Sequence, residues 1–426
     1  MLMLRILMVG MCALALLACG ENGPDSRRDG AIHLQAWFHA GQAGEREVIQ
    51  AQAARFNERN PDVQVELTLI PERNYNAQVQ AAAIAGELPD LLEFDGPYLY
   101  NYVWQGHLQP LDHLLPAAVR NDLLPSIVEQ GRYRGKLYAV GSFDSGLGLF
   151  ASRNALEQVG ARIPNGPDDA WTAQEFSALL EALAAGDRDG AVLDLKLNYP
   201  GEWFTYAFSP ILQSAGADLI GRGDYQSADG VLNGPAAVAA LGQLQAWLRA
   251  GYVDPNLDDA AFIGGRVALS WVGHWEYPRY AEALGEDLLV LPLPNFGEGS
   301  RTGQGSWVWG ISAAGRRAEA AARFLSFLLA PDEVLAMANA NGAVPARRGA
   351  IAESGLYRAD GPLHLFVRQL TDGYAVPRPQ TPAYPVITTA FQQVFFDIRS
   401  GADVQAALDR AVAAIDQDIA DNKGYR

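Results

Sequence analysis

Hydrophobic and polar residues alternate with two periods in the first quarter of the chain. Ile32, Leu34 and Ala36 alternate with polar neighbours into Trp37-Phe38-His39, the period-two signature of a half-buried strand ending in a loop. Gly44–Arg59 carries Ile49, Ala53 and Phe56 at helical spacing, and Pro61 prevents continuation. Val63, Val65, Leu67 and Leu69 alternate strictly with Gln64, Glu66 and Thr68, which predicts a second strand. Asn74–Ala85 reads as a second helix, stopped by Gly86 and Pro89, and Asp90–Phe94 as a third strand ending at Asp95-Gly96-Pro97. This β-α-β-α-β order predicts a parallel sheet with covering helices. Ligands of such sheets bind beyond the carboxyl ends of the strands. Trp37, His39 and Asp95 fall there, with Gln42 in the loop after the first strand.

Further along, Thr172 and Glu175 form a capping box that starts a helix running to about residue 185. Asn233-Gly234-Pro235 opens another helix, with Leu241, Leu244 and Leu248 on its inner face and Gly251 closing it. Arg266–Val272 fits a strand. Arg316–Leu329 and Asp332–Asn341 are helices divided by Pro331, and the last helix carries Val404, Leu408, Ala411 and Ile415 on one face.

The aromatic pattern changes the picture. Five of the nine tryptophans fall in three short segments: GEWFTYAFS at Gly201–Ser209, SWVGHWEYP at Ser270–Pro278 and GSWVWGIS at Gly305–Ser312. Each segment carries glycine or proline, which places Trp203, Trp271, Trp275, Trp307 and Trp309 on loops, where a flat apolar face can meet a ligand. A sugar ring, with its apolar C–H face and hydroxyl rim, suits aromatic plates beside a few carboxylates. The competing reading of each tryptophan is ordinary packing.

The length of 426 residues and a 49% hydrophobic content predict a large core and a two-lobed or multidomain body. The formal net charge of -17 disfavours nucleic acid or an anionic membrane surface as partner, and an anionic ligand to a lesser degree. No catalytic signature stands out: the chain lacks a Gly-x-Ser-x-Gly elbow and a His-Glu-x-x-His pair, and its six histidines are scattered. Asp187-Arg188-Asp189-Gly190 is too short for a calcium loop and reads as a turn. No metal or cofactor is expected.

The N-terminus, MLMLRILMVGMCALALLACGENG, has one charge, Arg5, before an apolar run too short to span a bilayer, then Leu16-Leu17-Ala18-Cys19. It resembles a bacterial lipoprotein signal with its lipobox. The resemblance implies a signal over 1–18, lipidation of Cys19, a polar tether over 19–30, and residence at a bacterial membrane surface or in the periplasm. A plain secretory signal is the alternative. Cys12 would leave with the signal, so the mature chain could form no internal disulfide.

FNERNPDVQVEL, AAIAGELPDLLEFD, GHLQPLD and RGKLYAV then follow in an order similar to the opening of bacterial extracellular solute-binding proteins of family 1, the sugar-binding lipoproteins of ABC importers. Arg378-Pro379-Gln380-Thr381-Pro382-Ala383-Tyr384-Pro385 is close to a motif of the maltose/trehalose subgroup. The chain departs from the family at Val140-Gly141, where a proline is usual, and at Phe150, where a tyrosine is. The resemblance implies an α/β, two-lobed periplasmic-binding-protein fold of type II, with interleaved lobes and three crossings near 140–145, 265–272 and 307–314. Residues 31–142 and 270–310 would form the N-terminal lobe, and 143–269 and 311–426 the C-terminal lobe. Trp203, Trp275 and Trp307 would stack on the sugar, with Asp95, Asp144, Gly305 and Arg378 at its polar rim and Trp37, His39 and Gln42 contributing from the first loop. Asp144 reads equally as a turn or cap residue. The implied function is capture of a saccharide, with an α-linked disaccharide favoured, by a monomer that docks on the transmembrane permease. Readings left open are a binding protein for a polyamine or metal, against which Arg378 argues, a signalling receptor, and a glycosidase built on Asp95 and Asp144.

Overall fold

The structure is a computed structural model that describes residues 27–28, 30–199 and 201–426. The expected signal, Cys19 and most of the tether lie outside the described residues. Among the described residues no helix is long and apolar enough to cross a membrane.

The alternating segments form strands β1 (Ala31–His39), β2 (Val63–Ile70) and β3 (Leu91–Asp95). They pair in parallel, with β1 between the other two. Helices α1 (Ala43–Arg59) and α2 (Glu72–Ala85) connect them. The pleat of β1 sends Leu34, Ala36 and Phe38 into one core with Ile49, Ala53 and Phe56 of α1. Trp37 packs on the other face, with Tyr75 and Val79 of α2 and Phe94. A short strand β4 (Ala139–Val140) sits at the far side of this sheet.

The chain then passes to a second sheet. Its strands are β5 (Leu147–Ser152), β6 (Leu193–Asp194), β7 (Leu269–Gly273) and β8 (Leu288–Leu291), in the order β6-β7-β5-β8. The predicted capping box is present, with Thr172 accepting from Glu175 N–H at the start of α3 (Ala173–Gly186). Two more helices precede β7: α4 (Trp203–Ser214) and α5 (Pro235–Ala250), the latter closed by Gly251 in the left-handed conformation.

After β9 (Thr302–Gln304) the chain returns to the first sheet as β10 (Trp307–Ile311), inserted antiparallel between β3 and β4. Helices α6 (Ala318–Leu328) and α7 (Pro331–Asn341) then pack on the first lobe against α1. A final strand, β11 (Ala375–Pro377), pairs in parallel with β9, and α8 (Tyr384–Arg399) and α9 (Val404–Asp421) close the second lobe against α4 and α5. The result is a mixed α/β molecule of two interleaved lobes.

The lobe boundaries differ from the expected ones. Strand β7 lies inside the second sheet, so 265–272 is not a return to the first. Strand β10 lies inside the first, so 307–314 is not a departure from it. The returns fall instead between Leu291 and Trp307 and beyond Asn341. Residues 270–304 accordingly join the second lobe and 307–341 the first. Sequence periodicity marks a strand but carries no information on which sheet takes it.

The five clustered tryptophans are also not loop residues. Trp203 opens α4, Trp271 lies in β7, and Trp307 and Trp309 lie in β10. Trp275 sits in a single helical turn, His274–Glu276. Trp271 and Trp309 are core, and the Trp271 indole donates to Ala207 O at 3.2 Å.

Candidate functional site

The carboxyl ends of β1, β3 and β7 and the start of β10 converge on one cavity of about 350 Å³ between the lobes. That volume is in the range of small-molecule sites. Eight of the ten residues singled out in the sequence line it: His39, Gln42, Asp95, Trp203, Trp275, Gly305, Trp307 and Arg378. Two do not. Trp37 packs against the cluster that holds Tyr75 and Val79 of α2 and does not line the cavity. Asp144 is fully buried in the first crossing, where it accepts from Ser145 N–H at 2.8 Å and Gln130 Nε2 at 3.1 Å. Its oxygens are committed to the protein, so it supports the wall and leaves no free acceptor for a ligand.

The wall from the first lobe is built on His39. Its ring stacks on Trp307, with centroids 3.9 Å apart and planes 4° from parallel, and Trp307 meets Tyr75 edge-on. His39 Nδ1 donates to Glu93 Oε2 at 2.5 Å, and Nε2 lies 3.9 Å from Glu45 Oε2. A Cβ on Gly41 would collide with both Glu45 Oε2 and His39 Nε2, so the glycine lets these two groups approach. Glu45 is also the reciprocal residue of the capping box that starts α1, accepting from Gln42 N–H at 2.7 Å. Burial disfavours the imidazolium, but the charge and hydrogen bond of Glu93, helped by Glu45, outweigh it and hold His39 up at about 9.

The sign of the resulting pH dependence follows from that shift. The stabilisation from protonated His39 is complete below its ordinary value of 6.5 and is lost as pH rises towards 9. Urea unfolding of the ligand-free protein should therefore show a fall of about 1–3 kcal/mol across this window, absent in His39→Gln. A fall of the same size in the variant would mean that His39 is neutral in the fold.

The second lobe supplies aromatic plates. Trp275 folds back over Gly273, where a Cβ would lie 2.0 Å from the indole, and meets Trp203 edge-on at 6.0 Å and 82°. Trp275 Nε1 donates to Tyr199 Oη at 3.3 Å, and Trp203 Nε1 to Leu195 O at 3.1 Å. Trp203 is 6% exposed, whereas Trp275 and Trp307 keep part of their faces open.

Between the lobes lies Arg378. It reaches Asp95 of β3 through two hydrogen bonds, of 2.6 and 2.8 Å, and Glu202 at the start of α4 through one of 2.7 Å. Its guanidinium also covers the Tyr206 ring at 4.8 Å. The segment that carries it is fixed by Asn101, whose amide donates to Pro382 O at 2.8 Å. Glu202 accepts further from Tyr384 and from Thr388 Oγ1. Burial raises the Glu202 carboxyl above its ordinary range, and Arg378 opposes that rise. Gly305 adopts φ +124, and a Cβ there would press on Arg378 Nη2 at 3.2 Å, so glycine is required for both reasons.

Two buried polar atoms at this cavity have no partner among the described residues: Arg378 Nε and His274 Nε2. A carbonyl only accepts, so the contact of His274 Nδ1 with Asn341 O at 3.0 Å places the proton on Nδ1. Burial holds the ring down at about 4 and therefore neutral, which leaves Nε2 as a bare acceptor. Arg378 Nε–H is a bare donor.

The sequence reading passed over Glu45, Glu72, Glu93, Glu202, Tyr206 and His274. Glu45 drew no reading within the first helix, and His274 and Glu202 stood beside tryptophans that drew the attention. Nothing in the sequence signals that Glu93, inside a strand, faces His39.

The chain matches the family described as bacterial extracellular solute-binding protein over residues 51–361. It is 24% identical over 421 residues, 93% of this chain and 89% of the other, to an uncharacterized lipoprotein in the oleD 5' region of Streptomyces antibioticus. Among solved structures it resembles the cyclic alpha-maltosyl-1,6-maltose binding protein of Arthrobacter globiformis, at 24% identity and TM-score 0.73, covering 91% of this chain and 99% of that one. It also resembles maltose-bound MalE3 of T. maritima, at 21% identity and TM-score 0.77, covering 90% of this chain and 98% of that one. The sheet order, the cavity between the lobes and the match over residues 51–361 agree: this chain belongs to the bacterial extracellular solute-binding proteins.

Proposed function

We propose that this protein captures a mono- or oligosaccharide between its lobes and delivers it to the permease of an ABC importer, held at the membrane surface by lipid on Cys19. The observation that carries the reading is a cavity walled by the partly open indoles of Trp275 and Trp307, two of whose lining residues hold an unpartnered polar atom, the donor Arg378 Nε–H and the acceptor His274 Nε2. A hydroxyl both donates and accepts, and a pyranose offers hydroxyls around an apolar face. Few other ligand classes meet all three demands. Trp275 and Trp307 would stack on the sugar, Trp203 would back Trp275, and Asp95, Gln42, Arg378 and the Gly305 backbone would meet its rim. The two solved relatives bear the names of maltose-type binders, which supports an α-linked disaccharide such as maltose or trehalose as the first probe.

Closure of one lobe over the other is the expected consequence of binding between two bodies joined by crossing strands. A thermal-shift screen of saccharides, spermidine and divalent metals tests the reading. A ligand at roughly 100 times its dissociation constant adds about 2.7 kcal/mol of stability. A shift with a saccharide, and none with spermidine or metal, is the expected result. A shift with metal or spermidine and with no saccharide would overturn it.

A further inference from the structure

The ionisable groups around the cavity do not balance. His39 lies between two carboxylates, Glu93 at 2.5 Å and Glu45 at 3.9 Å. Arg378 lies between two more, Asp95 at 2.6 Å and Glu202 at 2.7 Å. Glu72, on the first turn of α2, adds a carboxylate to the wall and accepts no hydrogen bond among the described residues. Two cations therefore stand against four acids of the cavity lining, with Glu93 behind His39; burial raises the carboxyls of Glu72, Glu93 and Glu202, which lessens the charge they carry but leaves acids in excess, and no lysine lines the cavity. Three of the five N–H groups of Arg378 go to Asp95 and Glu202, and its charge is matched by those two carboxylates before any ligand arrives. It has also lost its force as an argument against a cationic ligand, because its charge is already over-matched.

An independent feature points the same way. His274, 3% exposed, lines the cavity as a neutral ring with Nδ1 anchored on Asn341 O and Nε2 buried without a partner. It calls for a hydrogen-bond donor, as do the unmatched carboxylates. An ammonium group has three donors and no acceptor.

Resting on the carbohydrate reading above, we propose that the ligand is a saccharide bearing a protonated amine. Its C–H faces would lie against Trp275 and Trp307, a hydroxyl oxygen would accept from Arg378 Nε–H, and its ammonium would sit against the acidic wall that includes Glu72. An open-chain polyamine satisfies the acids but offers no acceptor to Arg378 Nε–H. A neutral saccharide satisfies the rim but offers no counter-charge to the acidic wall.

Calorimetric titration with matched pairs separates the possibilities: glucosamine with glucose, 2-amino-trehalose with trehalose, and the deacetylated chitin disaccharide with its N-acetylated form, with spermidine alongside. At neutral pH and low salt, the amine-bearing member of at least one pair should bind about tenfold tighter or more, a factor worth about 1.4 kcal/mol. That preference should shrink several-fold in roughly 0.5 M NaCl, as screening requires. Glu72→Gln should bring the ratio of affinities within the pair to about one and remove its salt dependence. Glu72 also favours the start of α2, but a purely helical role would move neither the salt dependence nor the ratio within a pair. Neutral members that bind as tightly as their amines, or better, would overturn this inference and leave the carbohydrate reading standing. Binding of spermidine with no saccharide, or of no saccharide at all, would overturn both.

Discussion

Arg378→Met should destabilise the ligand-free protein by about 3–5 kcal/mol at neutral pH, the usual result of removing one partner from a buried ion pair. Arg378 is 4% exposed, and its guanidinium is held between Asp95 of the first lobe and Glu202 of the second. Methionine fills a similar volume, so the loss would come chiefly from leaving two acids buried beside each other without a cation. Glu202 keeps its hydrogen bonds from Tyr384 and Thr388, whereas Asp95 loses both of its bonds to Arg378. In the variant Glu202, already raised by burial, loses the cation that opposes the rise and should titrate further above its unfolded value. Its cost is then full above that raised value and is relieved as pH falls through it. Chemical denaturation at about pH 7 and about pH 5 should show the gap to wild type narrowing at the lower pH. Arg378→Met combined with Glu202→Gln should recover part of the loss, because one of the two stranded charges is gone. A single-variant loss below about 1 kcal/mol would mean that the triad is solvated and does not tie the lobes.

Trp275→Ala and Trp203→Ala should separate binding from stability. Trp275 keeps an open face to the cavity, so its truncation should weaken saccharide binding on the order of 100-fold, about 2.7 kcal/mol. Trp275 also covers Trp203 edge-on and donates to Tyr199 Oη. A modest loss of about 1 kcal/mol is expected from the aromatic contact. Trp203 is buried, with its indole N–H committed to Leu195 O, so its truncation should cost about 3–5 kcal/mol of stability. Titration with whichever saccharide the screen identifies, together with denaturant unfolding of both variants, checks the split. Intact affinity in Trp275→Ala with a large stability loss would make Trp275 a packing residue.

These effects depend on contacts between residues far apart in the chain, and here the sequence stopped short. The early strands and helices were readable because local periodicity and breakers define them: Val63–Leu69 alternates without exception, and Pro61, Gly86 and Pro89 punctuate the run. The convergence of His39 and Asp95 followed from a general property of parallel strands, whose carboxyl ends share one edge. The position of β10 did not follow, because an apolar strand is equally at home in either sheet. The lobe division at 270–310 failed for that reason.

From its sequence alone, then, this protein's α/β class, the capping box at Thr172–Glu175, its aromatic-rich segments and eight of the residues that line the cavity were legible, since each rests on local pattern or on motif order. Only the tertiary structure decided what those residues do to one another. It packed Trp37 against α2, out of the cavity lining, and closed Asp144 among protein donors. It set Arg378 between two acids contributed by different lobes, and it left His274 Nε2 without a partner. Charge balance and hydrogen-bond satisfaction are sums over neighbours in space, and Asp95, Glu202 and Arg378 become neighbours only when the two sheets face each other.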